Sequence, residues 1–157
     1  MASGVTNTGK IRILEHAFRN TRDTAAFDTV GIWYLALSDS TAVFAATSAT
    51  FDTASEVAVG NGYTGGGDTI GRDTTDWDTL AIDTASNYGY IRLRDVVWTA
   101  SGGNLPDTGL GAQFAVLLGN DTAIGSRQVY AWFDLTEART IGAGATLTLQ
   151  DMEIRLS

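Results

Sequence analysis

The spacing of apolar residues changes character near residue 31. Before it, the stretch 8–20 (TGKIRILEHAFRN) places Ile11, Leu14 and Phe18 at i, i+3 and i+7, with Ala17 beside them. That is one stripe of an amphipathic helix, which leaves Lys10, Arg12 and Arg19 on other faces. Asn7 or Thr8 offers an oxygen for the N-cap, and Arg19 and Arg22 complement the dipole at the far end. The spacing predicts a helix over about 9–20.

After residue 31 the runs are short. The stretch 31–38 (GIWYLALS) is nearly continuous in apolar residues, and its length favours a strand buried on both faces. The stretch 42–53 is ambiguous: Phe44 and Phe51 are seven apart, as in a helix, while the Thr and Ser content fits an irregular excursion better. From 56 to 67 (EVAVGNGYTGGG) a strand start dissolves into glycine, with Asn61-Gly62 as a strong turn dipeptide. Asp-Thr then recurs at Asp68, Asp73, Asp78 and Asp83. This reads as a loop with a short strand over 77–82.

The stretch 88–99 alternates. Ile91, Leu93 and Val97 fall on one face, and Tyr90, Arg92 and Arg94 on the other. Strands are expected at 112–118 and 128–135, separated by a Gly119-Asn120-Asp121 turn, and 101–111 reads as a loop. In the last stretch, 145–156, Leu147 and Leu149 hold odd positions, whereas Met152, Ile154 and Leu156 hold even ones. A strand has period two, so the phase must break, and a β-bulge at Gln150-Asp151 restores it. The expectation is a mainly β chain. It would be an antiparallel β-sandwich of two packed sheets with about six to eight strands, plus one short N-terminal helix. Residues 1–9 read as a flexible arm and 10–157 as a single domain.

Composition narrows the function. The chain has 157 residues, of which 44% are apolar, enough for one domain with its own core. It has no cysteine, so disulfide frameworks, thiolate metal sites and cysteine nucleophiles drop out together. No apolar run is long enough for a membrane helix, and 1–9 lacks the charged and apolar regions of a secretory signal. A net charge of −8 disfavours nucleic acid, which needs a basic surface, and suits docking onto a basic partner.

Candidate chemistry is sparse. His16 is the only histidine, and no serine or cysteine stands in register with it, so base catalysis lacks an orienting partner. Asp73, Asp76, Asp78 and Asp83 could offer oxygens to calcium or form a glycosidase pair, but no EF-hand or RTX spacing is present. Repeated Asp-Thr is more simply a turn device, because both side chains bond to nearby backbone. Gly60-Asn-Gly62 and Gly65-Gly-Gly67 lack the following Lys-Ser/Thr of a phosphate loop and read as turns. Trp33, Trp98 and Trp132 lie inside strands and read as core. Trp77 stands among acidic residues, where it could be an interface anchor, a sugar-stacking platform or a buried cover. No catalytic, cofactor or metal residue is assigned. The candidate partner contacts are Val5, Thr6 and Asn7 in the arm, and Asp73, Asp76, Trp77 and Asp78 in the acidic loop.

The order of short motifs carries a resemblance. ILEHAFRNT is followed by WYLALSDS, then EVAVGNGYTGGG, WTASGG and FAVLL, and the chain closes on GAGATLTL leading into IRLS. This resembles a family of small virion proteins of tailed bacteriophages, known as capsid decoration, head-fibre or tail proteins. GYTGGGDTIGR departs from the family pattern by lengthening one loop. The resemblance implies a non-enzymatic β-sandwich displayed on a virion, often as a trimer. The expected function is a capsid decoration or cement protein on the capsid exterior, made in the host cytoplasm, with the major capsid protein or another virion protein as partner. The alternatives are a tail, adaptor or fibre component, and a carbohydrate-binding module using Trp77 and the acidic loop. No nucleic acid or membrane partner is expected.

Overall fold

The computed structural model describes residues 2–6, 9, 32–71, 75–83, 85 and 88–156. Among the described residues ten strands follow in chain order: β1 (Ala2–Val5), β2 (Ile32–Asp39), β3 (Asp68–Gly71), β4 (Thr79–Asp83), β5 (Tyr88–Leu93), β6 (Val96–Thr99), β7 (Ala112–Leu118), β8 (Val129–Arg139), β9 (Thr146–Leu149) and β10 (Met152–Leu156). All pairings between them are antiparallel. One sheet runs β1-β8-β7-β2-β3, a second β10-β5-β4, and β6 pairs with β9.

The second and third sheets continue one antiparallel ladder, β5–β6 against β9–β10. Leu93 opposes Met152, and Val96 opposes Leu149, so the register is the same on both sides of the break. Arg94 and Asp95 face Gln150 and Asp151 across the gap. Gln150 Nε2 donates to Asp95 Oδ2 at 2.8 Å, and Asp151 sits at φ 56°. The phase change expected at Gln150-Asp151 is therefore present, but it is not a bulge on one strand. Both strands switch faces together and keep their pairing. The consequence reaches back to 88–99, where the expected single strand is two. Val96 and Trp98 turn inward, and Val97 is left half exposed.

β2 is buried on both faces, as its apolar run predicted. Leu35 and Leu37 face the larger core with Trp33, Ile70, Leu93, Trp98, Leu117, Phe133 and Met152, which come from both sheet layers. Ala36 faces a smaller core on the opposite side, with Phe51, Val116, Leu118 and Val129. The excursion after β2 and the loop before β8 cover that second face. Phe51 donates its amide to Arg127 O at 2.9 Å, and Val129 donates to Ala49 O at 3.0 Å. The stretch 42–53 is thus the irregular excursion, with turns and no helix.

Arg127 is buried beneath this cover. Its guanidinium lies 3.5 Å over the Tyr34 ring and donates to the Gly66 and Asp121 carbonyls. A buried cation needs such contacts to offset lost hydration. Gly67, at φ 82°, is the tightest turn beside it, because a Cβ there would stand 2.1 Å from Leu35 O.

Within the stretch 1–9, read as an arm, Ala2–Val5 is strand β1 on the edge of β8, and Thr6 is fully buried. The reason is local. Thr6 donates its amide to Tyr130 O and its hydroxyl to Val129 O at 2.6 Å, and its Oγ1 accepts the Gly9 amide at 3.0 Å. The last contact has the i to i+3 spacing of a helix cap carried by Thr6; the candidate caps Asn7 and Thr8 lie outside the described residues. Of the helix expected over 9–20, Gly9 is helical and 10–20 lie outside the described residues.

Candidate interaction surface

The acidic residues are spent largely on turns. Asp39, Asp52, Asp83, Asp121 and Asp134 each accept the backbone amide two residues on, at 2.7–3.1 Å. This is the geometry in which a short carboxylate imitates a backbone turn. Asp78 is exposed and accepts from the Thr79 hydroxyl. Among the described residues, no group of three or more His, Asp or Glu could hold a metal ion.

Asp76 and Trp77 form a brace. The Asp76 carboxylate accepts the Gly71 amide and ion-pairs with Arg94, while its carbonyl accepts the Arg94 amide at 2.8 Å. Burial pulls this carboxyl up. Hydrogen bonds from Arg94 and Gly71, with the Arg94 charge, outweigh burial and hold it below the usual carboxylate range. Trp77 packs against the larger core and donates its indole N–H to Gly71 O at 3.0 Å. The loop therefore ties the end of β3 to the β5–β6 junction. Asp73, Asn7 and His16 lie outside the described residues. Val5 is half-buried in β1, on the opposite margin from the acidic loop, so the structure does not gather the expected contacts into one site.

A different constellation stands on the outer face of the second sheet. Tyr88, Tyr90 and Arg92 alternate along β5, and Glu153 and Arg155 alternate along β10. The register sets Arg92 opposite Glu153 and Tyr90 opposite Arg155. The two tyrosine rings stand 6.0 Å apart. The Arg155 guanidinium lies 4.7 Å over Tyr88, and that of Arg92 lies 5.9 Å over Tyr90. Glu153 accepts from both, from Arg92 Nη2 at 2.9 Å and from Arg155 Nε.

The electrostatics favour the arginines as the outward groups. The Glu153 side chain is only 11% exposed, against 38% for Arg92 and 58% for Arg155. Burial draws the Glu153 carboxyl up, but hydrogen bonds from Arg155 and Arg92 hold it below its usual range. Burial raises the Tyr88 phenol, the Arg155 charge pulls it back, and Asp83 pushes it further up. Tyrosine and arginine are the residue types that dominate binding energy at protein interfaces. Two guanidiniums fixed over rings by a shared carboxylate also lose less side-chain freedom on docking than free arginines would. The signal was legible: Tyr90 and Arg92 already fell on the polar face of the alternating stretch. Glu153 and Arg155 escaped notice because only the register brings β10 beside them.

Trp132 is a second correction. It is half-buried on the outer face of the large sheet rather than in the main core. It stacks on Phe44 with ring centroids 6.1 Å apart, and Phe44 meets Phe114 edge-on at 5.3 Å. No described helix is long and apolar enough to cross a membrane. Searches of family models, curated proteins and solved structures find no match to this chain.

Proposed function

We propose that this chain is a non-enzymatic structural protein of a tailed-phage virion, a decoration protein that bridges neighbouring capsid subunits on the outside of the shell. Its two sheet layers act as a rigid β-sandwich. Such a body holds its contact faces at fixed separations, so several weak contacts to adjacent subunits reinforce one another. The partner is the major capsid protein, and the chain works as a homo-oligomer, with a trimer favoured.

One observation carries this reading. Of the carboxylates that offered catalysis, Asp76 builds a brace and Asp83 a turn, whereas Tyr88, Tyr90, Arg92 and Arg155 are presented together on an outward sheet face. That is adhesive chemistry, and the order of sequence motifs resembles virion proteins of this kind. Trp77 is committed to the core and to Gly71 O, which leaves the carbohydrate-binding reading without its platform.

Quantitative staining of purified virions tests the proposal. A shell decoration protein is present in hundreds of copies. A few copies per particle would move the chain to the tail or an adaptor and overturn the shell reading. Absence from the particle would overturn the virion reading altogether.

A further inference from the structure

We infer that Asn61 is a site of spontaneous covalent modification: attack by the Gly62 nitrogen converts its carboxamide to a carboxylate, and the conversion unlocks the loop 101–108 from the turn that holds it. The inference concerns the chain itself and does not depend on where it works.

The chemistry is specific to this position. Of the asparagines in the chain, Asn61 alone precedes a glycine. Glycine has no side chain to shield its nitrogen, and it leaves the backbone free to bend. The Gly62 nitrogen attacks Asn61 Cγ. The new N–Cγ bond closes a cyclic imide, and the Cγ–Nδ2 bond breaks. Ammonia leaves, carrying the proton that the Gly62 nitrogen gives up. Water then opens the imide at either carbonyl, to aspartate or to isoaspartate, so the reaction needs water and no other reagent.

The fold decides when this happens. Asn61, at φ 48°, and Gly62, at φ 100°, are the two central residues of a turn closed by hydrogen bonds in both directions between Gly60 and Tyr63, at 3.0 Å. Asn61 Nδ2 donates to Asn104 O at 2.9 Å and to Asp107 Oδ1 at 2.8 Å, so both N–H groups of the carboxamide are engaged. The Asn61 carbonyl accepts the Ser101 amide at 2.9 Å. A side chain and a peptide group held in this way are not free to turn toward each other. The closed clasp therefore keeps the site slow, and reaction waits on local opening. Once the amide is converted, the clasp does not re-form. A carboxylate has no proton to donate, and it would meet the like charge of Asp107 where the donor stood. The loop so released carries Leu105, which is fully buried in the larger core and paired with Ile141. Conversion is thus one-way: it marks each chain whose clasp has opened and leaves that loop loosened.

Full-length protein incubated in mildly alkaline buffer, folded and in urea, tests the site. Peptide mass mapping follows the amide-to-acid mass gain at Asn61. Conversion is expected in urea, and about tenfold or more slower in the folded protein. An Asn61 that stays unconverted in urea, or that converts equally fast in both, overturns the inference. Asp107 is exposed, so Asp107→Ala leaves the core intact. It should speed conversion in the folded protein several-fold, and an unchanged rate overturns control by the clasp. Asn61→Asp tests the consequence directly. Hydrogen exchange at the Ser101 amide should rise about tenfold or more, with the strand signal in circular dichroism retained. Unchanged exchange at Ser101 overturns the unlocking.

Discussion

Asp76 holds Arg94 at two points, side chain to side chain and carbonyl to amide, across eighteen residues of sequence. The same carboxylate also takes the Gly71 amide. A residue that could have been a catalytic or partner-binding acid is in fact a joint between three strands, β3, β5 and β6.

Asp76→Ala should therefore lower stability by about 1–3 kcal/mol, since the Gly71 amide and the Arg94 guanidinium both lose their acceptor. Asp76→Asn should cost less, because the amide oxygen still accepts from Gly71. Urea denaturation of the three proteins gives the order directly.

Trp77→Ala should cost about 2–4 kcal/mol, from lost packing and the lost bond to Gly71 O. Its effect belongs in thermal melts, not in sugar binding. Glycan arrays should be silent for both proteins, and a sugar signal lost on this substitution would reinstate the carbohydrate reading.

The pH dependence has two opposite contributions. Asp76 and Glu153 are held below their usual range, so their stabilisation is present above the unfolded carboxylate value, near pH 4, and fades as pH falls through their folded values. Asp68 is the reverse. Burial raises its carboxyl, and the Trp98 indole and the Arg94 charge pull it only partly back. A raised carboxyl favours the fold below its unfolded value and loses that advantage as pH rises through the folded one. Asp68→Asn should thus raise the melting temperature at pH 7 and leave it unchanged below about pH 4. Paired melts at the two pH values check the sign.

Gly67→Ala should be among the most damaging small substitutions, at about 3 kcal/mol or more. Its Cβ meets the Leu35 carbonyl in a left-handed turn, and β2 cannot move away because it is buried on both faces. Soluble yield and melting temperature report the loss.

The sequence made the strands legible where side-chain pattern decides them. β7 follows its apolar run to the residue, and β2 shows the continuous burial that its lack of alternation foretold. It misled where pairing decides. Val97 reads as an inward residue in an unbroken strand, yet the switch that β9 and β10 announce at Gln150-Asp151 forces the same switch on β5 and β6. One strand's phase thereby sets its partner's, a constraint that single-strand periodicity does not contain. Strand β1 is not legible for a similar reason: Ala-Ser-Gly-Val has little apolar signal, and its place is fixed by the Trp132 ring and the backbone edge of β8. The acidic loop was half legible. Asp-Thr as a turn device is seen at Asp83, whereas the Asp76–Arg94 joint depends on a long-range contact. The Tyr88–Arg155 platform needed the β5–β10 register to come together.

Arg155→Ala and Tyr88→Ala should weaken attachment of purified protein to shells that lack it by about tenfold or more, with the strand signal in circular dichroism retained. Co-sedimentation with such shells measures it.

Immunogold labelling of intact particles, with antibody raised against this chain, bears most directly on where it works. Gold spread over the whole head is the expected result. Gold confined to the tail, or particles that carry none, would contradict a place on the shell.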